Sequence, residues 1–206
     1  MDLMDLLQGQ LSEGLIDQLS SQLGGADKKQ TADAASGIMS TMISALAKNA
    51  ATPEGASALS NALQNDHDGS ILDDVMGMLG GSSAPAQSQN NRMMNGAGIL
   101  KHVLGGKQSG AVDMISQISG LESNKTGSLM TMLAPLVMGA LGRTQRQQGL
   151  NPNDLAGMLS GTVKSASNQR AEMGLIGKFL DQDGDGSVMD DLAGMGMKIL
   201  GNFLRK

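Results

Sequence analysis

The chain has 206 residues, a net charge of −5 from 15 Lys/Arg and 20 Asp/Glu, and no cysteine. Without clustered Lys/Arg there is no footprint for the phosphate contacts of a nucleic acid. The missing thiols exclude disulfides, thiol catalysis and Cys-ligated zinc.

At this length the chain is either one domain or two small ones, and it is long enough to bury a core. That core has to come from aliphatic residues, Ala and Met, because there are 17 methionines, two phenylalanines and no Trp or Tyr. Met packs adaptably but specifies weakly. With 29 glycines as well, modest stability is expected, helped by a metal or by self-association. The opening Met1-Asp2-Leu3-Met4-Asp5 is acidic and lacks the basic start of a signal peptide. No apolar run reaches the ~20 residues of a membrane span, so a cytoplasmic protein without a transmembrane segment is expected.

Residues 3–23 read as one or two short helices. Leu3, Leu6 and Leu7 form one stripe; Ser12 caps a second helix carrying Leu15, Ile16, Leu19 and Leu23. Gly24-Gly25 ends it. Asp27 caps a helix reaching Asn49, with Ile38, Met39, Met42, Ile43 and Leu46 inward. Thr52-Pro53 restarts a helix with Pro at its first position, carrying Ala58, Leu59, Ala62 and Leu63.

Gln64–Val75 then forms an acidic loop: Asp66, Asp68, Ser70, Asp73 and Asp74 at loop-like spacing around Gly69. Residues 80–96, GGSSAPAQSQNNRMMNG, are small, polar and aperiodic, as in a flexible linker. Beyond it the pattern recurs. Val112-Asp113 and Ile115-Ser116 echo Ile16-Asp17 and Leu19-Ser20. Leu155 and Leu159 echo Leu59 and Leu63, and Asn151-Pro152 echoes Thr52-Pro53. The expected organisation is a first helical repeat at 1–79, a linker at 80–96 and a second repeat at 97–206. The second repeat gains about one inserted helix at 161–180. The apolar run 129–141 is expected to be the central buried helix, kinked near Pro135, with Met138, Gly139 and Gly142 leaving room for close helix contact.

The densest chemical signal is Asp181-Gln182-Asp183-Gly184-Asp185-Gly186-Ser187-Val188-Met189-Asp190-Asp191-Leu192. Calcium takes six to eight oxygens at about 2.3–2.6 Å, which a chain delivers by curling tightly around the ion. Asp181, Asp183 and Asp185 converge at loop positions 1, 3 and 5. Gly186 allows the sharp turn, and Ser187 offers its carbonyl. Position 12, normally a bidentate Glu, is Leu192. Asp190 or Asp191 therefore has to close the shell, and weak to moderate affinity is expected. The first loop is a weaker second site, with Gln64 at position 1. A metal-free reading also fits part of the text: Ser187 as N-cap with Asp190 at N3 in a capping box.

Two resemblances follow from these residues. The helix Val112-Asp113-Met114-Ile115, the Gly120-Leu121 break, the small-residue helix ending Leu133-Ala134-Pro135-Leu136, the restart at Asn151 and the element His67-Asp68-Gly69-Ser70 resemble the bacterial YidB-like domains of unknown function. The resemblance implies a compact all-helical bacterial protein and carries no catalytic residues. The C-terminal loop separately resembles EF-hand-like (DxDxDG) bacterial calcium loops.

No Gly-x-Ser-x-Gly elbow or phosphate-cradling loop is present, since Gly105-Gly106-Lys107 lacks the required spacing. With only His67 and His102, a His-based zinc site would need both plus carboxylates. The expectation is an all-α, non-enzymatic, calcium-binding protein that is structural or self-assembling. Its partner would be a second copy or another protein. The alternative is a metal-independent interaction module with a Met-rich apolar groove.

Overall fold

The computed structural model describes residues 11–67, 72 and 96–169. The described residues are all-α, and no strand occurs among them. Seven helices are labelled in order: α1 (Glu13–Gln22), α2 (Lys28–Asn49), α3 (Pro53–Asn65), α4 (residues 96–104), α5 (Gln108–Ser119), α6 (Ser123–Gln148) and α7 (Pro152–Gln169). A 3₁₀ turn at Gly105–Lys107 joins α4 to α5.

The caps explain where helices begin and end. Ser12 Oγ accepts from the Leu15 amide at 3.3 Å, the Asp27 carboxylate from the Gln30 amide at 2.9 Å, and Thr52 Oγ1 from the Gly55 amide at 3.1 Å. Asn151 Oδ1 accepts from the Asn153 and Asp154 amides, while Asp154 accepts back from the Asn151 amide, a reciprocal cap. Gly24, Gly25, Gly120 and Gly149 end the preceding helices with φ between 62° and 77°. A side chain there would strain the left-handed turn.

The order short, long, medium thus occurs twice, as α1–α2–α3 and as α5–α6–α7, with Pro opening the third helix each time. α1 packs on α2, and α5 on α6. The third helices cross over. α7 packs on α2 and α3, and α3 packs on α6 and α7; α2 also packs along α5 and α6. One hydrophobic cluster therefore spans both parts, joining Leu15, Ile38, Met42 and Leu63 to Leu100, Ile115, Leu133, Leu141, Leu155 and Leu159.

Four expectations need correction. The run 129–141 lies in α6 and is buried, but it shares the centre with α2. Residues 38–43 and 137–142 are each buried all round. Ser40 and Thr41 disguise the α2 stretch as amphipathic. Ser40 Oγ donates to the Ser36 carbonyl at 2.8 Å, which lets a hydroxyl enter an apolar core. Residues 161–169 continue α7 and are not a separate inserted helix. The inward face of α3 is Ala56, Leu59, Ser60 and Leu63, and Ala58 is exposed. Gly96, assigned by composition to the linker, is helical and buried.

Gly96 is buried because of Pro135. Proline has no N–H, so the Thr131 carbonyl one turn earlier loses its helical donor. Gly96 fills that surface: a Cβ built on it collides with the Thr131 carbonyl oxygen and lies 3.1 Å from Thr131 Cγ2. α6 runs on through Pro135, and the start of α4 covers the freed carbonyl.

Candidate functional site

The first acidic loop begins at the C-terminus of α3. Gln64 and Asn65, expected at its first two positions, still belong to the helix. Gln64 Nε2 reaches Ser60 Oγ at 3.5 Å. Asp66 is the C-cap, exposed, and its amide donates to the Ala62 carbonyl at 2.9 Å. Leu72, further along, is helical and buried in the common core. Asp68, Ser70, Asp73 and Asp74 lie outside the described residues, as do Asp181, Asp183, Asp185, Ser187, Asp190 and Asp191. Among the described residues no three His, Asp or Glu side chains are grouped to hold an ion.

The end of α3 is held by α6. A Cβ on Gly142 would collide with the His67 carbonyl oxygen and lie 3.2 Å from that of Leu63. The last carbonyls of α3 therefore rest on a glycine, in a contact that no other residue permits. One turn along each helix, Gln145, only 2% exposed, donates through Nε2 to Ser60 Oγ at 2.6 Å and to the Leu150 carbonyl at 3.4 Å. Its Oε1 has no partner.

The electrostatics of this end are one-sided. The C-terminus of a helix carries the negative end of its dipole, where cations are favourable and carboxylates are not. α3 has no basic residue in its last turn, and Asp66 caps it. His67 is half-buried, and the loss of solvent pushes its pKa down, with Asp66 pulling weakly the other way. A neutral imidazole thus follows the carboxylate.

The sequence marks Gly142 as a place of close helix contact, and the end of α3 takes it; the Gln145–Ser60 bond was not singled out from sequence. One signal for the bond was available. Ser60 stands where α3 needs an inward residue, four after Ala56 and three before Leu63, and a hydroxyl there requires a buried partner.

Elsewhere, Gly105, Gly106, Gln108, Ser109, Val112 and Asp113 line an open depression of about 450 Å³. A helix precedes this glycine pair, where a phosphate-binding loop follows a strand. His102 is exposed on α4. No helix among the described residues is long and apolar enough to cross a membrane.

A family model described as a bacterial protein of unknown function (DUF937) matches residues 5–144. No curated protein and no solved structure matches the chain.

Proposed function

The chain belongs to the DUF937 family of bacterial proteins of unknown function, and from that premise we propose that it is a non-enzymatic structural protein that binds calcium through its acidic loops and assembles with itself. The supporting observation is the uncompensated negative end of α3: a helix C-terminus with no basic residue in its last turn, capped by Asp66, opening directly into Asp66-His67-Asp68-Gly69-Ser70. A divalent cation relieves that arrangement. The second loop, at 181–191, carries the fuller carboxylate set and is the tighter site in this reading. Ligands there are Asp181, Asp183, Asp185, the Ser187 carbonyl, and Asp190 or Asp191. With the position-12 Glu missing, a Kd on the order of 10⁻⁵–10⁻³ M is expected.

Calorimetric titration with calcium, with thermal melting in calcium and in chelator, tests this. Heat of binding and a higher Tm in calcium are expected, both reduced by Asp181→Ala with Asp183→Ala. No heat and no shift in millimolar calcium refutes the metal. The metal-independent interaction module then stands, with assembly unchanged in chelator.

A further inference from the structure

Sulfur enters this chain only as methionine: there are 17 Met and no Cys, and Trp and Tyr are absent as well. A two-electron oxidant such as a peroxide therefore has the thioethers as its targets. The described residues sort them into two sets. Met39 and Met42 of α2 and Met130 and Met138 of α6 are buried, none more than 4% exposed. Met114, Met132 and Met158 are half-buried.

Two of the half-buried three stand at the edge of the core. Met132 of α6 and Met158 of α7 both pack against the common hydrophobic cluster. Met132 follows Thr131, whose carbonyl lies against Gly96, and Leu136 one turn on is partly buried in the same way. Met158 precedes the fully buried Leu159 on α7, the helix that packs on α2 and α3. Both residues fill space at the core edge and remain open to solvent. Met114, one turn before the exposed Ile118 on α5, has no such place among the described residues.

Peroxide turns a thioether into a sulfoxide. A sulfur lone pair attacks one peroxide oxygen, the S–O bond forms as the O–O bond breaks, and the other oxygen leaves as water. Sulfur loses two electrons and the peroxide gains them. The product carries a strong acceptor that an apolar edge cannot satisfy, and burying it unpaired is unfavourable. At Met132 or Met158 the side chain either turns out to water, leaving its packing space empty, or stays and strands the oxygen. At Met114 the new oxygen meets water.

We propose that Met132 and Met158 are oxidation-sensitive catches of this bundle. Peroxide converts them before the buried four, their sulfoxides loosen α7 and the adjoining part of α6 from the core, and Met39, Met42, Met130 and Met138 become reachable only then. The proposal is independent of calcium and of self-assembly.

The full chain is incubated with hydrogen peroxide in the presence of chelator and sampled over time. Peptide mass spectrometry maps the added oxygen, about 16 Da, at every methionine, and circular dichroism gives the Tm of each sample. Met114, Met132 and Met158 should convert ahead of the buried four, and Tm should fall by several degrees as Met132 and Met158 convert. The volume-conserving pair Met132→Leu with Met158→Leu retains every other methionine. It should hold its Tm and keep the buried four reduced over the same time, whereas Met114→Leu should behave as wild type. Oxidation of the buried four as early as Met132 and Met158 overturns the proposal. So does an unchanged Tm once those two are converted, or a Tm loss in the double variant equal to that of wild type. If the double variant does not fold, reductases for both sulfoxide epimers are added to the oxidised wild-type chain. Recovery of Tm in step with reduction of Met132 and Met158 supports the proposal; no recovery, or recovery that tracks other methionines, overturns it.

Discussion

Gly142→Ala adds one methyl group where the backbone of another helix already sits. The built Cβ overlaps the His67 carbonyl oxygen and meets the Leu63 carbonyl at 3.2 Å. Both obstacles are main chain, so no rotamer change relieves them. The end of α3 has to lift from α6, and it takes with it the Leu63 packing and the Ser60–Gln145 bond one turn away. Overpacking of this kind costs about 1–3 kcal/mol. Replacing an interior helical glycine by alanine offsets up to about 1 kcal/mol of that through helix propensity. A net loss of about 1–2 kcal/mol is expected, equivalent to a fall of several degrees in Tm for a chain of this size. Gly157→Ala is the internal control. Gly157 lies inside α7, is exposed, and has nothing within 4 Å of a built Cβ. There only the propensity acts, and a gain of about 0.5–1 kcal/mol is expected. Urea titration of both variants, read from the midpoint at constant slope, measures the two signs. If Gly142→Ala stabilises as Gly157→Ala does, α3 does not rest on α6 as described.

Core deletion gives the largest loss. Leu159→Ala, in α7 facing α2 and α3, removes a fully buried side chain and should cost about 2–5 kcal/mol; a cost under 1 kcal/mol in chemical denaturation rules out that seat for α7. Gln145→Leu and Ser60→Ala each remove the 2.6 Å bond and leave its partner only a longer contact at 3.4–3.5 Å, and each should destabilise by about 0.5–1.5 kcal/mol, with the double variant falling short of the sum. Additive losses in the cycle mean the two side chains do not meet. Asp27→Ala removes the α2 N-cap at an exposed site and should cost about 1 kcal/mol in thermal melting, with no change meaning that the Gln30 amide has another acceptor. Finally, burial holds the His67 pKa below its ordinary 6.5. The unfolded chain then binds the proton first as pH falls, so the His67 contribution to stability is intact above 6.5 and is lost on acidification toward the folded-state pKa. His67→Gln should flatten that part of the pH–stability curve, and an unchanged slope would assign it to other groups.

Local chemistry was legible in the sequence. Ser12, Asp27, Thr52 and Asn151 each announce a helix start through an oxygen that satisfies amides in the first turn, and Gly24 and Gly120 each announce a stop through a left-handed turn. These signals act within a few residues, so no tertiary knowledge is required. The apolar stripes of α1 and the central part of α2 were readable for the same reason. The acidic loop could be read as a ligand pattern, and of its first copy the described structure places Asp66 at the exposed end of α3.

Partner choice was decided in three dimensions. Nothing in the text of α3 or α7 says that each lies against the long helix from across the connector, because an apolar stripe records that a face is buried and not against what. The same holds for the close approaches. Gly142 announces room for another helix but not which one, and Gly96 looks like part of a linker, until the carbonyls of His67 and Thr131 are found against them. Ser40, Thr41 and Gln145 read as polar surface until the helices around them close. Backbone contact and burial depend on which surfaces meet, and only the folded chain brings those surfaces together.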